Sequence, residues 1–140
     1  MKILFYNCDI LQRNINGKYY TIKGFLGVNG EYIDYVGEEK PKEKYDIEKD
    51  MSGKLLMPGL INAHCHTPMT LLRGVGGGQS LQSWLNNCIF PIEAKMVPYD
   101  IEVGTKLAIA EMLRGGTTQV SEMYDFPFAS AKAFAETGMK

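Results

Sequence analysis

Short apolar runs separated by turn residues fill the first part of the chain: residues 3–11, 19–28 and 32–36, divided by Asn16-Gly17 and Asn29-Gly30. This pattern predicts strands joined as hairpins. Asn-Gly is a strong hairpin signal because both central residues of a type I′ turn need positive φ, which Asn tolerates and Gly adopts freely. Residues 38–49 are rich in charge and read as a surface loop. At Met57-Pro58-Gly59 the character changes, and a boundary between domains 1–57 and 58–140 is placed there.

Beyond it, the apolar stretch Leu60-Ile61-Asn62-Ala63 leads into His64-Cys65-His66 as a short strand. After the glycine-rich residues 74–78, Ser80 can cap a short helix carrying Leu81, Trp84 and Leu85. A longer helix is predicted over 100–114, with Asp100 as cap, an apolar face of Val103, Leu107, Ala110 and Leu113, and Gly115-Gly116 as stop. The β-branched residues 117–123 form a second strand. A final helix starts at Asp125 and Pro127, runs through Phe128, Ala131, Phe134 and Ala135, and ends at Gly138. Strand, helix, strand, helix is the order of a parallel α/β architecture.

Charge excludes some partners. Fifteen basic against sixteen acidic residues leave a net charge of -1, with no field to hold nucleic acid or an anionic membrane surface. No apolar run reaches the roughly 18 residues of a spanning helix, and Asn7 and Asp9 interrupt the start too early for a secretory signal. A cytoplasmic location is the expectation. Cys8, Cys65 and Cys88 are odd in number and form no CxxC pair, so they are read as free thiols. Residues 74–78 lack the spacing of a phosphate-binding loop.

The chemistry centres on the only two histidines. Side chains at i and i+2 of a strand point the same way, so His64 and His66 share one face and can share a metal, with Cys65 on the other. An isolated HxH is more often a surface or core pair than a ligand set. Here it follows an apolar strand entered through a Pro-Gly turn, and strand C-termini are where parallel α/β folds place their sites.

The run Met57-Pro58-Gly59-Leu60-Ile61-Asn62-Ala63-His64-Cys65-His66-Thr67-Pro68-Met69 resembles the signature of the amidohydrolase superfamily. With Thr70-Leu71-Leu72-Arg73-Gly74, Trp84-Leu85, Pro91-Ile92-Glu93, residues 111–118 and Met123-Tyr124, the whole chain is similar to the 5-methylthioadenosine/S-adenosylhomocysteine deaminase group and its chlorohydrolase relatives. The resemblance implies the N-terminal part of a (β/α)₈ TIM-type barrel, incomplete after two βα units, preceded by the first part of a small β-sandwich. His64 and His66 would be two ligands of one divalent metal ion, zinc in the first place and iron or manganese otherwise. Glu93 would accept hydrogen bonds from both ribose hydroxyls of a purine nucleoside, and Trp84 would line the same pocket. The remaining ligands and a proton-shuttling glutamate would lie on later strands.

The implied reaction is hydrolytic deamination of a 5′-modified adenosine, with guanine deaminase or triazine hydrolase chemistry, or a non-catalytic truncated product, as alternatives. The zinc deaminases that use HxE with PCxxC are a different pattern, absent here. Two protein ligands fall short of the three that a catalytic zinc site holds. By itself this front third is therefore expected to be inert, and to self-associate or require its missing C-terminal part. Arg73 is read as solvent-facing, and Glu122, near the end of the second strand, as non-catalytic.

Overall fold

The computed structural model describes all 140 residues, which divide into two compact units, Met1–Pro58 and Gly59–Lys140. In the first, a five-stranded sheet is built around β1 (Lys2–Arg13), antiparallel to β2 (Tyr19–Asn29), which pairs with β3 (Tyr32–Gly37). Leu4, Cys8 and Ile10 of β1 are buried. Between Phe5 and Cys8 the register with β2 shifts, and Asn7 in the bulge takes φ 57°.

Both hairpins form, with turns that differ from the expected type I′. At the first, only Gly17 has positive φ (78°), and the Asn14 side chain accepts from the amides of Asn16 and Lys18. The longer loop needs a left-handed residue only at its exit, so Asn16 stays on the ordinary side. At the second, Gly30 (φ 61°) and Glu31 are the central pair, and a positive φ at the first position alone is the type II′ pattern.

A further difference lies in the charged stretch. Ile47–Asp50 is strand β4, parallel to β1, and Leu55–Leu56 is β5, which also pairs with β1. Every side chain of β4 is exposed, so the element is held by backbone pairing that composition does not reveal, and its Glu48, Lys49 and Asp50 suit a sheet edge.

In the second unit β6 (Leu60–Cys65) lies parallel to β7 (Thr117–Glu122), the arrangement predicted by the strand and helix order. A Cβ on Gly59 would come within 2.1 Å of the Thr118 side chain, so glycine is what lets the chain enter β6 beside β7. A 3₁₀ segment, Thr67–Leu72, follows His66. Ser80 then caps α1 (Leu81–Trp84), which continues through a π turn, Leu85–Ile89, into α2 (Phe90–Glu93). Pro91 brings no N–H into this stretch, and the widened turn before it accommodates the register change. Helix α3 is Pro98–Arg114 and α4 is Pro127–Thr137.

Asp100 is not the α3 cap. It sits inside the first turn and accepts from the Val97 amide at 2.9 Å. The buried face also differs from the expected one: Ile101, Gly104, Thr105, Ala108 and Ile109 are inside, whereas Val103, Leu107 and Leu113 are 39–46% exposed and Ala110 is exposed. Both faces are apolar, and the one with Gly104 wins because that residue allows contact with the 3₁₀ backbone, where a Cβ would meet the Pro68 carbonyl at 2.7 Å. On α4, Ser130 and Ala133 are buried while Phe128, Ala131 and Ala135 face out. Ile109, Ala133 and Met139 form a core against β7 residue Val120. No helix is long and apolar enough to cross a membrane.

Candidate active site

Strand alternation places the imidazoles of His64 and His66 together at the C-terminal end of β6, with Nε2 to Nε2 at 3.1 Å. The rings meet edge to face, their centroids 4.9 Å apart. His66 Nδ1 lies 2.6 Å from the Met123 carbonyl. A carbonyl can only accept, so Nδ1 carries a proton, which leaves Nε2, facing His64, as the nitrogen whose lone pair can bind. This is the arrangement that orients a metal-ligating histidine. Two nitrogens bound to one tetrahedral ion at 2.0–2.1 Å would be about 3.3 Å apart, so the observed spacing fits a shared divalent cation. No cluster of three or more His, Cys, Asp or Glu side chains gathers here; the chain offers the pair.

The end of β7 grips the residues around His66. The Met123 amide donates to the Cys65 carbonyl at 3.2 Å, and the Thr67 amide donates to Glu122 Oε2 at 2.8 Å. The Thr67 hydroxyl donates to the same oxygen, and the Met123 amide approaches Oε1 at 2.9 Å. Thr67 is buried and its hydroxyl lies 3.1 Å from that of buried Thr105, which is 3.4 Å from that of Ser130. Cys65 is half-buried, and that burial, reinforced by the Glu122 charge, pushes its thiol pKa up.

Beside this strand end is a cavity of about 540 Å³. His66, Trp84 and Glu93 all line it, so three of the four sequence-predicted site residues meet in one hollow; His64 lies just outside, lining a smaller recess with His66 and Met123. Leu81, Leu85, Ile89 and Phe90 make its wall apolar. The Trp84 indole N–H donates to the Val75 carbonyl at 2.8 Å, which leaves the ring face for the cavity. Tyr124 donates its phenol proton to Glu93 Oε1. Burial first, then the Glu93 carboxylate, pushes the Tyr124 pKa well above its ordinary value. Arg73 is exposed and bridges Glu111 at 2.6 Å, outside the cavity.

Sequence reasoning assigned no role to Tyr124 or to the Met123 carbonyl, although both follow the second strand directly. Their position at the C-terminal end of a parallel strand was the available signal.

Parallel strands whose C-terminal ends carry convergent imidazoles beside a largely apolar cavity define an α/β module with its site at the strand ends. The chain belongs to the amidohydrolase family, whose model matches residues 55–139. It is 42% identical over 144 residues to the 5-methylthioadenosine/S-adenosylhomocysteine deaminase of Acetivibrio thermocellus, covering 100% of this chain and 33% of that protein. It is 43% identical over 134 residues to the 5′-deoxyadenosine deaminase of Methanocaldococcus jannaschii, covering 94% and 31%. Among solved structures, an adenosine deaminase from Xanthomonas campestris with bound zinc superposes with a TM-score of 0.74 at 32% identity, over 99% of this chain and 32% of that one. The chain thus spans about a third of the length of the relatives it matches.

Proposed function

We propose that this chain is part of a metal-dependent enzyme that hydrolytically deaminates a 5′-modified adenosine. In this reading residues 58–140 are the first two βα units of a (β/α)₈ barrel. The pairing at Lys140 supports it: its amide donates to the Thr118 carbonyl and its carbonyl accepts from the Val120 amide, as the first residue of a third parallel strand would on the other side of β7. Residues 1–57 belong to a small β-sandwich, supported by a hollow of about 500 Å³ lined by Phe5, Ile10, Leu26 and Val28, an apolar sheet face suited to packing against a second layer.

The observation that carries the proposal is the 3.1 Å convergence of His64 and His66 beside the cavity that holds Glu93. The two Nε2 atoms would hold one divalent ion, zinc by the precedent of the Xanthomonas campestris structure; iron is also suited to imidazole, whereas manganese, the other ion considered, favours oxygen ligands. Such an ion supplies Lewis acidity and a water whose pKa falls to about 7. The remaining ligands and the group that moves the proton to ring nitrogen lie outside these 140 residues.

The chain's own residues bind and orient. Glu93 uses one oxygen to accept from Tyr124 and keeps the other for vicinal ribose hydroxyls. Trp84, Leu85 and Phe90 offer apolar faces to a purine and its 5′ substituent. The names of the relatives from Acetivibrio thermocellus and Methanocaldococcus jannaschii support a 5′-modified adenosine as the substrate class. Three free cysteines suit a reducing compartment such as the cytoplasm.

The whole zinc-loaded protein, offered 5′-methylthioadenosine, guanine and a chlorotriazine in parallel, tests the reading, with ammonia release followed for the first two and chloride release for the third. Release from the nucleoside is expected; turnover of guanine or the triazine alone overturns it.

A further inference from the structure

Three consecutive residues at the end of β6 are each held by the end of β7: Cys65 through the Met123 amide, His66 through the Met123 carbonyl, and Thr67 through the Glu122 carboxylate. The first two contacts come from one residue, Met123, and its backbone orientation decides which way the His66 ring faces. Glu122 touches both sides of this arrangement. Its Oε1 accepts from the Met123 amide at 2.9 Å, and its Oε2 accepts from the Thr67 amide at 2.8 Å and from the Thr67 hydroxyl. We propose that Glu122 is a positioning residue: its carboxylate locks the Met123 carbonyl and the His66–Thr67 turn together, and so fixes His66 in the Nδ1–H tautomer with Nε2 free to bind.

Both carboxylate oxygens face backbone N–H donors. Only a group with two acceptor ends satisfies that, and a glutamine, however it is turned, sets its own NH₂ against one of the two amides. The clamp is anchored from behind: Thr67 and Thr105 are 1% and 0% exposed, and Thr105 meets Ser130 of α4, so the strand end is tied to α3 and α4 through hydroxyls. Glu122 is itself half-buried and does not line the large cavity that contains His66 and Glu93, which separates it from substrate contact. Its expected effect is therefore on ligand geometry. The functional consequence rests on the proposed metal role of His66; the structural one does not.

The test reads the two histidines directly. In the metal-free whole protein labelled with ¹⁵N-histidine, near pH 8 where an ordinary imidazole is neutral, long-range ¹H–¹⁵N spectra distinguish the tautomers, with the His66 signals identified by their loss in His66→Gln. Wild-type His66 is expected as a single Nδ1–H form, and Glu122→Gln as a mixture of tautomers. Thr67→Val keeps both amide bonds to Glu122 and removes one hydroxyl donor, so it should show the same change in smaller degree. A folded Glu122→Gln with His66 still in one Nδ1–H form overturns the proposal. If Glu122→Gln does not fold, Glu122→Asp, one methylene too short to meet both amides, is the second variant, and an unchanged His66 there overturns the proposal. In the whole protein Glu122→Gln should weaken zinc binding by about 10- to 100-fold, as loss of a group that orients a ligand does. If even the unmutated whole protein binds no zinc, the metal reading fails while the tautomer result still decides the positioning role.

Discussion

Tyr124, which follows β7, donates its phenol proton to Glu93 at the end of α2, and its ring centroid lies 6.2 Å from that of His66. One side chain thus spans the distance between the carboxylate and the imidazole. Replacing it with Phe frees Glu93 to rotate and leaves one carboxylate oxygen without its donor. We predict that Tyr124→Phe in the whole protein raises KM for the nucleoside about tenfold, the equivalent of roughly 1.4 kcal/mol, with kcat nearly unchanged. A fall in kcat at constant KM would place Tyr124 in the chemistry instead.

Glu93→Gln separates the sugar from the base. A carboxylate accepts from two hydroxyls at once, whereas an amide sets a donor against one of them, so binding of the nucleoside should weaken more than binding of free adenine. Isothermal titration with both ligands measures it. Equal losses would remove the ribose contact and favour a base hydrolase.

The alkaline titration carries a further prediction. Of the eight tyrosines, Tyr124 is pushed up by burial and Glu93, and Tyr45 is pushed up to about 12 by burial and Asp34. Because the folded values lie above the ordinary value of 10, the stabilisation these phenols give is complete below pH 10 and is lost as pH rises beyond it. Phenolate absorbance should therefore show a late-titrating fraction in folded chain. Tyr124→Phe should remove part of it and leave the Tyr45 part; an unchanged late fraction would contradict the Tyr124–Glu93 contact.

Gly104 tests the packing at the exit of β6. A methyl group there meets the Pro68 carbonyl and Cα at 2.7 and 2.9 Å, both backbone atoms with little freedom to yield. Gly104→Ala should cost about 1–3 kcal/mol, read as a lower denaturant midpoint. Unchanged stability would show that α3 and the 3₁₀ segment are not in tight contact.

The strands, the parallel α/β order and the histidine pair were legible because each rests on a local pattern: apolar runs, Gly stops, and i, i+2 alternation. What was not legible depended on contacts far apart in the chain. The face of α3 was misread because Val103 and Leu107 form as apolar a stripe as Ile101 and Ala108, and the choice between them lies in Gly104 against Pro68, 36 residues earlier in sequence. Strand β4 looked like loop because three of its four side chains are charged, all four are exposed, and its pairing with β1 is mainly through the backbone. Glu122 carries no motif and Tyr124 entered only as part of the family resemblance, without a role; their partners, Thr67 and Glu93, are 55 and 31 residues away.

The most direct test of the central claim asks whether His64 and His66 bind the same ion. With ¹⁵N-labelled histidine and an excess of ¹¹³Cd, which replaces zinc and is visible by NMR, a shared site predicts one cadmium resonance coupled to the Nε2 atoms of both residues. Cadmium coupled to one imidazole alone, or two cadmium resonances each coupled to a different one of the two imidazoles, would contradict it.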